Sequence, residues 1–566
     1  MTPTQKLNNE IFMIERALEA GRLEDAGRLL DRILKLDPKN PRANELYAYF
    51  LGASGESNKA FEQLKIACGL EGALPSALHE LGRQYLYAGQ FESAINYLEA
   101  ALTRNGSFIG GLHDLGIAYA LTGALQKARE AFENAYRLDP GSAEVVYNLG
   151  KVYDDLGMAE EAVKCYYDAV SIDPKMTSAL INLGDVNVDL THYEEAISNY
   201  DAALAVDSSL SDALVNRGVA FHIMKKFEEA LSSFDQAILI NKNCAGAHFN
   251  KALTLVSLER YQEGWKEYEW RWAYEKFTSP PRSFKSPLWL GAESLDGKSI
   301  LIYSEQGLGD TIQFCRYLQI LRGKVESIFV EVEQSLISTI ESMNLGINVI
   351  KKGEVMPAHD YHCPMMSLPL ALQQDQGRPP FPDKYLSASK ELVSKWMARL
   401  GSSDIPRIGI VWRGSATHAN DKNRSIALRE LMSVLPEGYQ YLSLQKEPTQ
   451  DERMLLASNP MYLDYSIDIS DFQDTAALVN CLDLVIGVDT STIHLSSALG
   501  MRTWLLLSYV QDWRWSPDKE QSAWYSSMRI LRQSVDQKWM PVLEQLKSEI
   551  RSFLEAYPKY DAEEKL

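Results

Sequence analysis

The sequence predicts a helical solenoid over its first half and an α/β second half built as two parallel-sheet lobes. Three observations carry that prediction. An alanine recurs at Ala26, Ala60, Ala94, Ala128, Ala162, Ala196 and Ala230, a constant step of 34 residues. Such a period marks helix pairs that bury their apolar faces only by stacking on one another. Helical periodicity then stops in FTSPPRSFKSPLW, where Pro280, Pro281 and Pro287 forbid a continuous helix. Beyond that break, short apolar runs alternate with helical ones, the pattern of parallel strands covered by helices on both faces.

Within the repeats each recurring residue has a physical task. The clearest copies read Leu115-Gly116-Tyr119-Ala128-Phe132-Ala135-Pro140 and Leu149-Gly150-Tyr153-Ala162-Tyr166-Ala169-Pro174. Gly and Ala let the paired helices approach, the aromatic fills the gap between neighbours, and Asp-Pro ends the second helix. Outer copies degrade, with Met13-Ile14 in place of Leu-Gly and Gly264 where Ala is expected. This pattern resembles tetratricopeptide repeats. It assigns residues 7–276 to an array of about seven full repeats plus a degenerate eighth.

Asn148, Asn182, Asn216 and Asn250 precede the Leu-Gly position, or its equivalent, in four consecutive repeats. A primary amide bonds both N–H and C=O of an extended backbone, so such a row would hold a polypeptide without reading its sequence. The row resembles the asparagine ladder of O-GlcNAc transferases, which implies acceptor-peptide binding. The alternative is ordinary repeat scaffold.

Bulk properties exclude several classes. With 57 Lys and Arg against 76 Asp and Glu, the formal net charge is -19, the wrong sign for a general nucleic-acid or anionic-membrane binder. No stretch approaches the about 20 apolar residues of a membrane span, and the N-terminus lacks a signal-peptide pattern, so a cytoplasmic location is expected. The six cysteines are scattered singly without zinc spacing, which predicts reduced, mostly buried thiols and no metal.

In the second half, SILIYSE, SIFVEVE, RIGIVWRG, YQYLSLQ, DLVIGVD and TWLLLS read as strands. Residues 277–297 form a linker, 298–400 a first lobe, 401–535 a second lobe, and 536–566 a terminal helix and tail. Three strand ends carry polar motifs. The first is Glu305-Gln306-Gly307-Leu308-Gly309-Asp310, where glycines permit close backbone approach and an ionised Asp310 could accept a hydroxyl proton or merely cap its helix. The second is Val488-Asp489-Thr490-Ser491-Thr492-Ile493-His494, a helix start whose N–H groups and hydroxyls suit an anion. The third joins Gln445 with Arg413, Arg424 and Lys446, three cations that would stabilise a leaving group. Trp513-Arg514-Trp515 offers stacking surfaces or simply core.

The first two motifs resemble the heptosyltransferase-like family 9 glycosyltransferases, whose GT-B fold sets two Rossmann-like lobes across a cleft. The whole chain resembles bacterial repeat-bearing glycosyltransferases, including those that modify flagellin. The resemblance implies Asp310 as general base and a donor phosphate held by Gly309, Asp489, Thr490, Ser491 and His494, with Arg413, Arg424, Gln445 and Lys446 beside it. It places the acceptor on the first lobe and the nucleotide-sugar on the second. The short first lobe lacks a lipid-binding helix, which favours a protein acceptor. The expectation is a metal-independent, inverting protein O-glycosyltransferase without cofactor, acting on Ser or Thr of a protein acceptor, flagellin first, gripped by the repeats. The donor stays open among UDP, ADP, GDP and dTDP sugars and CMP-linked nonulosonic acids. The alternatives are a transferase for a lipid-linked or cell-surface glycan and a non-catalytic adaptor with a relic cleft.

Overall fold

The computed structural model of the chain describes residues 3–373, 379–403, 405–415, 420–517 and 519–555, so the expected tail at 556–566 lies outside the described residues. The chain divides into two compact units between Ala220 and Phe221.

The first unit is built of helices packed in consecutive pairs, from Pro3–Glu19 and Leu23–Leu36 to Thr177–Asp189 and Tyr193–Val206. Ala26, Ala94, Ala128, Ala162 and Ala196 are fully buried. The Gly of each Leu-Gly step is required by the aromatic that faces it. A Cβ on Gly116 would stand 2.7 Å from the Phe132 ring, on Gly150 2.8 Å from Tyr166, and on Gly184 2.5 Å from Tyr200. The turn inside each pair needs a left-handed residue, supplied by Gly21, Gly55, Gly89, Gly123 and Gly157, and then by Thr191 at φ 65°. A β-branched side chain is a genuine outlier there.

The division falls near the end of the helix Ser211–Ile223, and the second unit continues with its partner Phe227–Ile240 and with the pair Ala245–Ser257 and Tyr261–Tyr268. Their turns are left-handed at Lys225 and Glu259, again without glycine. Both side chains reach the segment that follows the ninth strand. Lys225 Nζ lies 5.1 Å over the Tyr509 ring, while Glu259 accepts from Ser516 Oγ at 2.6 Å and from Lys519.

Two all-parallel sheets follow. The first comprises β1 (Ser299–Tyr303), β2 (Ser327–Val332), β3 (Asn348–Lys351) and β4 (Tyr361–Pro364), in the order β3-β2-β1-β4. The second comprises β5 (Arg407–Val411), β6 (Gln440–Ser443), β7 (Tyr462–Asp464), β8 (Leu484–Val488), β9 (Thr503–Leu507) and β10 (Met528–Arg532), in the order β10-β9-β8-β5-β6-β7. Each sheet therefore reverses its strand order once, between β1 and β4 and between β5 and β8. A crevice opens outside the strand ends at such a reversal, and ligands of open parallel sheets bind there.

One aromatic core joins the last repeat to the sheets. Trp265 meets Phe314 and Trp513 edge-on at 5.8 and 5.6 Å, and Tyr261 meets Trp524 at 6.1 Å. Each pair of this kind adds about 0.5–1.5 kcal/mol beyond area burial. This explains why the compact division falls at residue 220 and leaves the last pairs, expected as part of one array to 276, with the sheets. The helices that follow β1 and β2 are short, Leu308–Phe314 and Ile337–Glu341. A terminal helix spans Trp539–Glu555. Cys315, Cys363 and Cys481 are buried and the other three cysteines half-buried. No helix among the described residues is long and apolar enough to cross a membrane.

Candidate functional site

The loop after β1 carries two carboxylates, and each is gripped by an arginine flanked by tryptophans. Glu305 sits at the reversal between β1 and β4, with its side chain 1% exposed. Its Oε1 accepts from Arg271 Nε at 3.1 Å and lies 2.9 Å from Nη2. Arg271 is fully buried, also bonds Glu269 and Ser367 at 2.7 Å each, and stacks over Trp272 at 4.5 Å. Glu305 Oε2 and the neighbouring Ser304 Oγ are buried and unpartnered. Burial pushes the Glu305 carboxyl up to about 7; Arg271 opposes the rise, Glu269 adds to it, and the Met366 backbone N–H opposes it further.

Asp310 lies five residues on, in the first turn of Leu308–Phe314. Its Oδ2 accepts from the Gly307 N–H at 2.7 Å, the capping contact, and its Oδ1 accepts from Arg514. Arg514 also bonds Asp512 at 2.6 Å and Gln313 at 2.5 Å and stacks over Trp513 at 4.2 Å. Burial lowers its guanidinium to about 10, which leaves it charged at neutral pH.

Asp489 follows β8, at the reversal beside β5. Its Oδ2 accepts from Trp515 Nε1 at 2.8 Å, and its Oδ1 lies 3.6 Å from His494 Nε2. His494 Nδ1 bonds the Tyr525 hydroxyl at 2.8 Å, and its ring stacks on Trp515. Both ring nitrogens thus face protein partners, in a side chain 6% exposed. Burial opposes charge on both groups, yet it is outweighed. Tyr525 and Asp489 raise His494 to about 9, while His494, Trp515 and Arg424 hold Asp489 below the usual carboxylate range.

Thr490 is the N-cap of the helix Ser491–Ala498, and its Oγ1 is buried without a partner. Gly309 comes against this helix start. A Cβ there would stand 2.9 Å from His494 Cδ2 and 3.6 Å from Ser491 Cα, so only bare backbone fits. The loops after β1 and β8 therefore meet, bringing Gly309, Asp310, Asp489, Thr490, Ser491 and His494 together.

The third group is dispersed by its own pairings. Arg424 bonds Asp421 at 3.1 Å and the Asp489 carbonyl at 3.0 Å, so it braces the second loop. Arg413 bonds Glu452 at 3.2 Å and the Glu447 carbonyl. Gln445 accepts from the Arg413 backbone N–H at 3.2 Å, and Lys446 is exposed.

The asparagines are half-buried and each has an N–H bonded within its unit. Asn148 contacts His113 at 3.1 Å, Asn182 donates to Tyr147 and Tyr166 at 3.3 and 3.4 Å, and Asn216 donates to Asp185 at 2.8 Å. In the second unit Asn250 donates to the Gly246 carbonyl at 2.8 Å.

A cavity of about 640 Å³ opens between the last helix pair and the ends of the first sheet, lined among others by Tyr268, Trp272, Ser304, Glu305, Asp310 and Trp513. Glu305, Arg271 and Arg514 were not foreseen as site residues. The available signal was a triplet, Trp-Arg-Trp, that occurs twice. Among the described residues no group of three or more His, Cys, Asp or Glu side chains is gathered as a metal site.

Tetratricopeptide repeat models match residues 79–143, 143–176 and 181–243. These segments are tetratricopeptide repeats. Protein FlbA of Caulobacter vibrioides is 25% identical over 315 residues, 51% of this chain and 52% of its own. The chain thus spans about half the length of that curated relative. Among solved structures, MamA is 23% identical over 29% of this chain and 95% of its own, with a TM-score of 0.28. YrrB, described as a tetratricopeptide repeat protein with an unusual peptide-binding site, is 24% identical over 30% of this chain and 88% of its own, also at 0.28.

Proposed function

We propose that the chain is a protein O-glycosyltransferase, in which the tetratricopeptide repeats hold a polypeptide and the two sheets form a GT-B-type centre. That centre moves a sugar from a nucleotide donor to a Ser or Thr hydroxyl, with flagellin the first acceptor to try. The observation that carries the reading is Thr490. Its buried, unpartnered Oγ1 stands at the start of an eight-residue helix, beside the bare backbone of Gly309 and at a strand-order reversal. Free N–H groups and the positive helix end at such a place suit a diphosphate and the charge it gains on leaving. His494 serves this site from inside, by fixing Asp489 and the loop that bears Thr490. Arg424 does the same through the Asp489 carbonyl.

The test is a thermal-shift screen against UDP, GDP, ADP, dTDP and CMP. A ligand at 100 times its Kd stabilises the native state by about 2.7 kcal/mol. One nucleotide is expected to raise the transition, and the Thr490→Ala, Ser491→Ala double variant to lose that response. If no nucleotide shifts the wild type, the transferase reading falls and protein binding by the repeats becomes the function.

A further inference from the structure

Resting on that reading, we propose that Glu305, rather than Asp310, is the group that takes the acceptor's proton, and that the cavity over it is where the acceptor hydroxyl enters. The two carboxylates line the same 640 Å³ cavity but differ in what they have free. Asp310 has one oxygen on the Gly307 N–H and the other on the Arg514 guanidinium, so each oxygen already holds a fixed donor. Glu305 has Oε1 on Arg271 and the Met366 backbone N–H nearby favouring its ionised form, while Oε2 is without a hydrogen-bond partner, next to the equally unpartnered Ser304 hydroxyl. It stands two residues beyond the end of β1, at the reversal where ligands of parallel sheets bind. Tyr268, Trp272 and Trp513 form aromatic walls of the cavity.

In the step, the acceptor O–H gives its proton to the Glu305 carboxylate while its oxygen bonds the anomeric carbon. The bond from that carbon to the phosphate oxygen breaks, and the nucleotide leaves with the electron pair. Glu305 then releases the proton to water. The charged and titratable groups facing it are Arg271 and Glu269 from the turn after the last repeat, Tyr268, Tyr303 at the end of β1, and Cys363 on β4, with Arg282, Asp310, Lys352, Asp512 and Arg514 lining the same cavity. With its carboxyl near 7, Glu305 is a base matched to neutral pH.

The experiment measures nucleotide released into water from UDP-, GDP-, ADP-, dTDP- and CMP-linked sugars by the full chain. Glu305→Gln is expected to keep its nucleotide thermal shift and lose about 100-fold or more in release, a general-base magnitude. Wild-type release is expected to climb with pH through about 7, and the variant's to stay flat. A folded Glu305→Gln within about threefold of wild type overturns the proposal and leaves the transferase reading standing. Should the variant not fold, the wild-type profile is read against that of Asp512→Asn, since Asp512 in the same cavity is also raised to about 7; a flat wild-type profile, or a rise that Asp512→Asn abolishes, overturns the proposal. If wild type neither binds a nucleotide nor releases one, both fall together.

Discussion

Two Trp-Arg-Trp triplets, one closing the repeats and one following β9, grip the two carboxylates of a single loop in different ways. In the first, Arg271 is fully buried between half-buried tryptophans and engages one oxygen of Glu305, leaving the other free and the carboxyl near 7. Around Arg514 the clamp and a helix cap together occupy Asp310, in a side chain still 19% exposed. The same three residue types thus make a poised acid in one place and a structural strut in the other. What separates them is whether one oxygen or both are engaged, which no motif records.

The comparison breaks most readily at the arginines. Arg271→Met strands Glu305 and Glu269 without their cation, and loss of one partner of a buried pair costs about 3–5 kcal/mol. Arg514→Met leaves Asp310 its cap and some solvent, so about 1–2 kcal/mol is expected. Denaturant titration of the full chain measures both, and equal losses would erase the distinction.

A pH series sharpens it. Glu305 has its folded value raised above the ordinary 4.5, so its contribution is present below about 4.5 and lost as pH rises through about 7. That shift corresponds to about 3 kcal/mol. The stability of Glu305→Gln relative to wild type should therefore improve between those pH values, and a constant difference would place the Glu305 carboxyl at its ordinary value. The smallest effect belongs to Trp272→Leu. It removes one face of the Arg271 stack for about 0.5–1 kcal/mol, read as a small drop in melting temperature.

Much of the fold was legible because packing imposes it locally. Ala128 and Gly116 recur at a fixed step since Phe132 leaves no room for more. All six strands read from apolar runs, β1, β2, β5, β6, β8 and β9, lie inside their sheets, and the four that escaped, β3, β4, β7 and β10, are the edges. Edge strands bury less and tend to be short and polar, as Tyr462–Asp464 is, so they carry little hydrophobic signal. At the site, the strand-end motifs pointed to Asp310 and Thr490, whereas the pairing of Asp310 with Arg514 spans 204 residues and could not be seen.

Lys225 and Glu259 occupy turns that glycine fills in the first five repeats, and each spends its side chain on the segment after β9. Those two turns have become joints, while the earlier ones remain interchangeable links.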